Sequence, residues 1–493
     1  MAEPARAALL FVLAALLVRA PALLFTELNW DEALYWQMAG ELAAGQLPYT
    51  ATWDRKPPGL FALLAPFHWA GGGSVWALRL GTGLLVAATA LGLHAIARRL
   101  LPGHPAAGPL AGLAYVLLSM RGVGDGTNAE LLLAPFAVGG IALALAARGH
   151  AGALGAGVLA GAALLVKQVA LAEAAVAAGI VAFARPRLLP AFALGGAIPV
   201  AIATGVYGAA GHLGLLLETL AAAGEAGGDR VRVKAMRDGL ATYAAATAAA
   251  LAGLAALAWH GARKAALVLG TWLAAVAAML LLLGRFADHM IVQLAPPLAL
   301  GWASLAAQVG RALPRRPTLV NAVALLALLG YSLHTPARAA GEVVWQRNRI
   351  GVAHWGDRTA TLAALLRPRI EGPHDLLVAS RLLGLHRETG TLPATRFPFV
   401  PHLWSGYAPV DGVAEMARQL AARPGFVVVD DLWLPGTTMP DPRQAEVLAV
   451  LHAALAGSYV AEARVGRFTS RGGGFIGGGV GATIFRRADR PPP

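Results

Sequence analysis

The chain reads as an α-helical polytopic membrane protein with a smaller α/β domain at its C-terminal end. Three observations predict this. Of its 493 residues, 57% are hydrophobic and 14% charged, with a mean hydropathy of +0.59, outside the range of ordinary soluble domains. Apolar runs of about the length that crosses a bilayer core, roughly 20 residues, recur along the first two thirds. Past residue 335 the pattern changes: Arg, His, Asp and Pro intersperse short β-like runs, "DLLVAS", "FVVVDD", "YVAEARVGRF" and "GATIFRR".

In chain order, residues 7–25 make the first span. No A-x-A-like site precedes the polar stretch after it, so it is read as a retained helix, not a signal peptide. Further spans are expected at 74–98, 105–120, 131–147, 151–166, 169–184, 188–208, 239–258, 265–283, 288–308 and 318–334, about eleven crossings in all. Ala and Gly dominate these runs, which favours close helix packing. The basic residues Arg98/Arg99, Arg148, Arg185/Arg187, Arg263/Lys264 and Arg311/Arg315/Arg316 fall at every second connection, which places those loops in the cytoplasm. The expected division is a membrane domain over 1–335, with a first outer loop at 26–73, and an extracytoplasmic α/β domain over 336–493. In the second, "PRQAEVLAVLHAALAGSY" reads as an amphipathic helix between strands.

The net charge of +13 and isoelectric point near 10.7 would suit nucleic acid, but many basic residues sit in short loops between spans. They are topology signals, and no nucleic-acid partner is expected. With no cysteine, disulfides, Cys-based zinc sites and thiol nucleophiles are excluded. "SRGGGFIGGGVG" lacks the strand-then-helix context of a dinucleotide site and is read as a loop.

Charge parity sharpens one connection. Residues 151–184 have basic flanks at both ends and must cross an even number of times, so the chain turns near Lys167. Each arm then spans roughly 24 Å, shorter than the hydrocarbon core. Lys167 and Gln168 would sit slightly sunken, where a charge is costly unless it faces a polar cavity or an anion; a snorkelling lysine is the alternative.

The first outer loop crowds Asp31, Glu32, Glu41, Asp54, Arg55 and Lys56 among Trp30, Tyr35, Trp36, Tyr49, Trp53 and Trp69, a composition suited to the membrane interface. "DEALYWQMAGELAAG" reads as a short helix with both acids at its start and Gly45 at its end; plain dipole partnership explains such acids as readily as catalysis. Pro57 and Pro58 stiffen the chain after Arg55 and Lys56. Asn128 and Glu130 in "TNAELLL" line a site or cap a helix. In "RFADHMIVQL", Arg285, His289 and Gln293 are spaced four apart, which on an α-helix makes one polar face.

The successive stretches "DEALYWQMAGELAAGQLPY", "WDRKPPGLFALLAPFHWAGG", "TNAELLLAPF", "LLVKQVAL" and "RFADHMIVQLAPPLAL" resemble the motifs of polyprenyl-phosphate-sugar-dependent GT-C glycosyltransferases. Within these the resemblance is nearest to the dolichyl-phosphate-mannose protein mannosyltransferase and aminoarabinose transferase group, and it covers roughly residues 5–340. It implies an integral plasma (inner) membrane enzyme that passes a sugar from a polyprenyl-phosphate carrier to a hydroxyl of a glycan, lipid or protein acceptor on the outer side, with inversion. Asp31 would be the catalytic carboxylate or position the acceptor, supported by Glu32. Arg55, Lys56, Lys167, Arg285 and His289 would hold the donor phosphate; Asp54, Asn128, Glu130, Gln168 and Gln293 would line the site. The sequence departs from the family where Met290 replaces a common Tyr and Asp288 adds a negative charge.

No spacing among Asp54, Glu130 and His289 specifies a metal, so metal-free catalysis is preferred and a divalent cation stays open. A transporter or flippase of polyprenyl-linked sugars is the alternative function, since its cavity also needs phosphate-binding cations; a membrane-anchored recognition protein is a third. The long aromatic, acidic outer loop and the appended domain favour the enzyme. The outer domain is expected to cap the mouth of the site. Its Arg396, His402, Trp404 and Tyr407 would approach an acceptor, unless their loop packs on its own sheet.

Overall fold

The computed structural model describes residues 3–24, 27–121, 126–222, 237–282, 288–313, 315–350, 358–406, 408–437, 441–465 and 481–491. Its first part is a helical assembly. The helices used below are α1 (Glu3–Arg19), α2 (Trp30–Ala43), α3 (Gly59–Ala70), α4 (Val75–Leu100), α5 (Ala107–Leu118), α6 (Ala129–Ala146), α7 (His150–Val166), α8 (Leu171–Ala184) and α9 (Leu189–Ala209). Among the described residues seven apolar segments are long enough to cross a membrane: Glu3–Leu23, Val75–Leu100, Ala129–Ala146, Pro186–Ala209, Arg263–Leu282, His289–Ala312 and Pro317–His334. Four expected spans correspond to shorter helices, Ala107–Leu118, His150–Val166, Leu171–Ala184 and Ala244–Trp259, so length alone does not give eleven crossings.

Small residues set the closest helix contact. A Cβ added at Gly157 would lie 2.0 Å from the Phe192 carbonyl oxygen, one at Gly161 2.3 Å from that of Gly196, and one at Gly195 2.1 Å from that of Leu154. No side chain fits between α7 and α9, so their backbones touch. This packing fixes the axis of α7 and thereby the residue that follows it, Lys167. There φ −159° and ψ 136° break the helix before the single 3₁₀ turn Gln168–Ala170.

The segment 27–73 holds α2 and α3. Asn29 caps α2: its side-chain oxygen accepts from the Asp31 N–H at 3.0 Å, while the Asn29 N–H donates to Glu32 Oε2 at 3.0 Å. Gly45, at φ +87°, takes the left-handed turn that ends the helix.

Strands β1 (Leu376–Ala379), β2 (Phe426–Asp430), β3 (Tyr459–Val465) and β4 (Ala482–Arg487) form a sheet in the order β1-β2-β4-β3. β1 and β2 are parallel, with Leu376 opposite Phe426 and the helix Gly412–Ala421 in their connection; the remaining pairs are antiparallel. The run Val427–Val429 is buried throughout, as an interior strand covered on both faces requires. All four strands and the helix Pro442–Ser458 fall on the runs expected for them. The glycine-rich stretch before β4 lies outside the described residues apart from Gly481.

Candidate functional site

Asp31 and Asp54 meet one cation. The Lys56 ammonium donates to Asp31 Oδ1 at 3.1 Å and to Asp54 Oδ1 at 3.4 Å, and lies 5.0 Å from the centre of the Tyr35 ring. The two carboxylates share this lysine but not their surroundings. The Asp54 side chain is fully sealed, whereas 16% of the Asp31 side chain remains exposed. Asp54 Oδ1 also accepts from the Arg55 N–H at 2.7 Å, and its Oδ2 has no partner among the described residues. Burial pushes the Asp54 carboxyl upward, against the pull of Lys56. At Asp31 burial pushes the same way but is outweighed by Lys56, His289 and Lys167, which hold that carboxyl well below the usual range. Environment thus separates the pair: Asp31 is the accessible member, its carboxyl held low, and Asp54 the sealed one.

A second cluster lies where α6 begins and α7 ends. Lys167 pairs with Glu130 Oε1, and His289 Nε2 stands 3.9 Å from the same oxygen. Glu130, in the first turn of α6, is buried, and its Oε2 has no partner among the described residues. Because Lys167 and His289 both act on Asp31, the two clusters form one electrostatic site. It is assembled from the α2–α3 segment, the start of α6, the end of α7 and the 288–294 segment.

Several expected residues have other placements. Glu32 turns from Asp31: its Oε1 receives the Arg79 guanidinium at 2.5 Å and the Thr127 N–H at 2.5 Å. This buried pair ties α2 to α4 and to the chain entering α6. Losing one partner of such a pair costs about 3–5 kcal/mol. Asn128 is buried but its side chain does not cap α6, and Gln168 is exposed. The single polar face expected through His289 and Gln293 does not form, because Asp288–Leu294 is a 3₁₀-helix. At three residues per turn, positions four apart diverge by about 120°. His289 accordingly reaches Glu130, while Gln293 Nε2 donates to the Val169 carbonyl at 3.0 Å and to Glu173 Oε2 at 2.8 Å. Gln293 therefore braces the turn beneath Lys167. Arg285 and Tyr407 lie outside the described residues.

The C-terminal region reaches the same place. The Trp53 N–H donates to the Arg396 carbonyl at 2.6 Å, and Trp30 and Phe399 stack with ring centres 6.3 Å apart. Arg358 donates to Glu27 at 2.6 Å. The "RFPFVPHLW" loop packs on Trp30 and Trp53 of the α2–α3 segment. Sequence reasoning missed Arg79 and Glu173, each a lone ionisable residue inside an apolar run. That isolation was the available signal, because such a residue needs a partner.

Each carboxylate in the cluster already faces an ammonium group, and among the described residues no three His, Asp, Glu or Cys side chains converge on a point.

No protein-family model and no curated protein matches the chain by sequence. Solved structures do match its fold. The Archaeoglobus fulgidus oligosaccharyltransferase, in complex with Zn and sulfate, aligns with a TM-score of 0.53 at 12% identity, covering 93% of this chain and 72% of that one. ArnT from Cupriavidus metallidurans, in the apo state, aligns at 0.59 and 14% identity, covering 97% of both chains. Both are GT-C glycosyltransferases. The chain has the GT-C fold, as the sequence motifs led one to expect.

Proposed function

We propose that the chain is an integral membrane glycosyltransferase that transfers a sugar from a polyprenyl-phosphate carrier to an acceptor hydroxyl on the outer face of the membrane, with inversion. One observation carries the reading beyond the fold: the accessible carboxylate of Asp31 stands 3.1 Å from the Lys56 ammonium, and Lys167 and His289 are near enough to pull its pKa down as well.

In this reading Asp31 takes the acceptor O–H proton as the acceptor oxygen bonds to the anomeric carbon. The bond from that carbon to the phosphate oxygen breaks on the opposite side, and the polyprenyl phosphate leaves with the electron pair. Lys167, His289 and Arg55 stabilise the charge developing there. Lys56 has a double role. It keeps Asp31 ionised before the reaction; once Asp31 is protonated, one of the lysine's two partners is neutral and its charge becomes available to the departing phosphate. Asp54 holds Lys56 in place throughout. The low affinity of Asp31 for protons makes it a weak base, so proton transfer should come late, after bonding to the acceptor oxygen is well advanced.

The test uses the purified full-length chain in lipid nanodiscs with a polyprenyl-phosphate sugar and a panel of hydroxyl acceptors. Transfer with inverted anomeric configuration and release of free polyprenyl phosphate supports the proposal. Movement of intact carrier across vesicle membranes without transfer supports the transport alternative instead.

A further inference from the structure

The segment 396–404 grips the residue before each of the two carboxylates that share Lys56. Besides the backbone bond to Arg396, the Trp53 ring packs on Phe397 at 5.5 Å and meets His402 edge-on at 5.2 Å and 84°. His402 in turn meets Phe399 edge-on at 4.8 Å and 86°, and Phe399 stacks on Trp30. Trp30 precedes Asp31, and Trp53 precedes Asp54. Trp53 is also tied below, its indole N–H donating to Thr219 at 3.2 Å. Among the described residues the imidazole is the ring in this group that touches both branches: one edge contact leads to Asp54 through Trp53, the other to Asp31 through Phe399 and Trp30.

We infer that His402 is a positioning residue of the catalytic centre, whose ring fixes the spacing of Asp31 and Asp54 about Lys56 from the C-terminal side. The inference rests on the reading of Asp31 as the catalytic base.

The environment of His402 is consistent with a role played by shape. Burial, then the nearby Lys56 and Arg55, hold its imidazole neutral, and its buried Nδ1 has no hydrogen-bond partner among the described residues. An edge-on contact to an aromatic face needs a ring, not a charge. Since misplacing a reacting group by about 1 Å can cost on the order of 100-fold in rate, a ring that sets carboxylate spacing should act on turnover while leaving donor affinity nearly alone.

Three full-length variants in nanodiscs test this. His402→Ala should lower kcat at least about tenfold with the donor KM within about twofold, His402→Phe should restore kcat to within about threefold of the parent, and His402→Gln should stay near the Ala variant. Hydrogen exchange supplies a readout that does not depend on activity. His402→Ala should speed exchange over residues 28–58 and leave the α7–α9 contact unchanged, and His402→Phe should return residues 28–58 to the parental rate. Parental kcat in a folded Ala variant would overturn the inference. So would rescue by Gln and not Phe, which would mean that a polar contact matters instead of the ring. Lost turnover with unchanged exchange would also overturn it, by pointing to direct substrate contact. If the parent protein transfers no sugar, the functional reading fails, and the exchange measurements still decide whether His402 sets the loop.

Discussion

Replacing Lys56 with Met removes the one cation that Asp31 and Asp54 share, and the result should be visible in a pH profile. At 3.1 Å an ammonium–carboxylate pair has a Coulomb energy of about 5 kcal/mol at an effective dielectric constant near 20. Much of this is offset by desolvation and by water at the Asp31 mouth. The direction is fixed by the opposing influences on Asp31: burial raises its pKa, and Lys56, His289 and Lys167 lower it. Removing Lys56 leaves the burial and the negative charge of Asp54, so the pKa must rise. A rise of one unit corresponds to about 1.4 kcal/mol, and because burial is the largest influence on Asp31 we expect the rise to carry its pKa past the ordinary carboxylate range and into the pH range of the assay. The parent's kcat/KM should be independent of Asp31 ionisation between about pH 5 and 8, whereas Lys56→Met should gain an acid limb, its rate rising with pH as Asp31 loses its proton. Lys56→Arg should shift the limb less. The assay is kcat/KM for sugar transfer against pH with subsaturating donor. A folded Lys56→Met protein with the parent's flat profile would refute the assignment of Lys56 as the group that keeps Asp31 ionised.

Gly161→Leu should force α7 from α9 and destabilise the fold by about 3 kcal/mol or more, seen as lost monodisperse protein in detergent; Gly179→Leu, where an added Cβ meets nothing within 4 Å, is the tolerated control, and equal loss in both would contradict the packing argument. His386 is buried, with Nδ1 2.9 Å from Thr391 Oγ1, and burial followed by His374 pushes its pKa down to about 3. Between that value and the ordinary value near 6.5 the unfolded chain binds a proton that the folded one refuses, so stability falls as pH falls; from pH 7 to pH 5 the C-terminal region should lose about 2 kcal/mol, and His386→Phe should remove that part of the dependence. Thermal melts at the two pH values read it, and an unchanged slope in the variant would count against it.

Much of the local architecture was legible because it is written in short-range pattern. The acids of α2 stand at the start of the helix expected for them, the break at Lys167 follows from basic flanks on a segment too short for two full crossings, and each strand occupies one of the four short β-like runs past residue 335. Pairings between distant positions were not legible. Lys56 was expected at the donor phosphate, but Asp31, 25 positions earlier in the chain, shares it with the adjacent Asp54. Glu32 was expected to support Asp31; its partner Arg79 lies inside an apolar run, where no local periodicity announces the contact. The polar face expected through His289 and Gln293 assumed 3.6 residues per turn, and the chain there winds at three. The meeting of Trp53 with Phe397 and His402 joins segments more than 340 positions apart, which only the folded chain brings together.

The account stands on Asp31 being the base and Asp54 the sealed anchor of Lys56. The most direct measurement is single-turnover sugar transfer at saturating donor by Asp31→Asn and Asp54→Asn, with donor binding measured separately on the same preparations. Loss of a general base costs on the order of 10²- to 10⁴-fold. Asp31→Asn should fall in that range with donor affinity retained, while Asp54→Asn, which keeps the shape of a buried side chain and leaves the base in place, should fall by less. Transfer by Asp31→Asn within about tenfold of the parent, together with a dead Asp54→Asn, would contradict the assignment and move the base to Asp54.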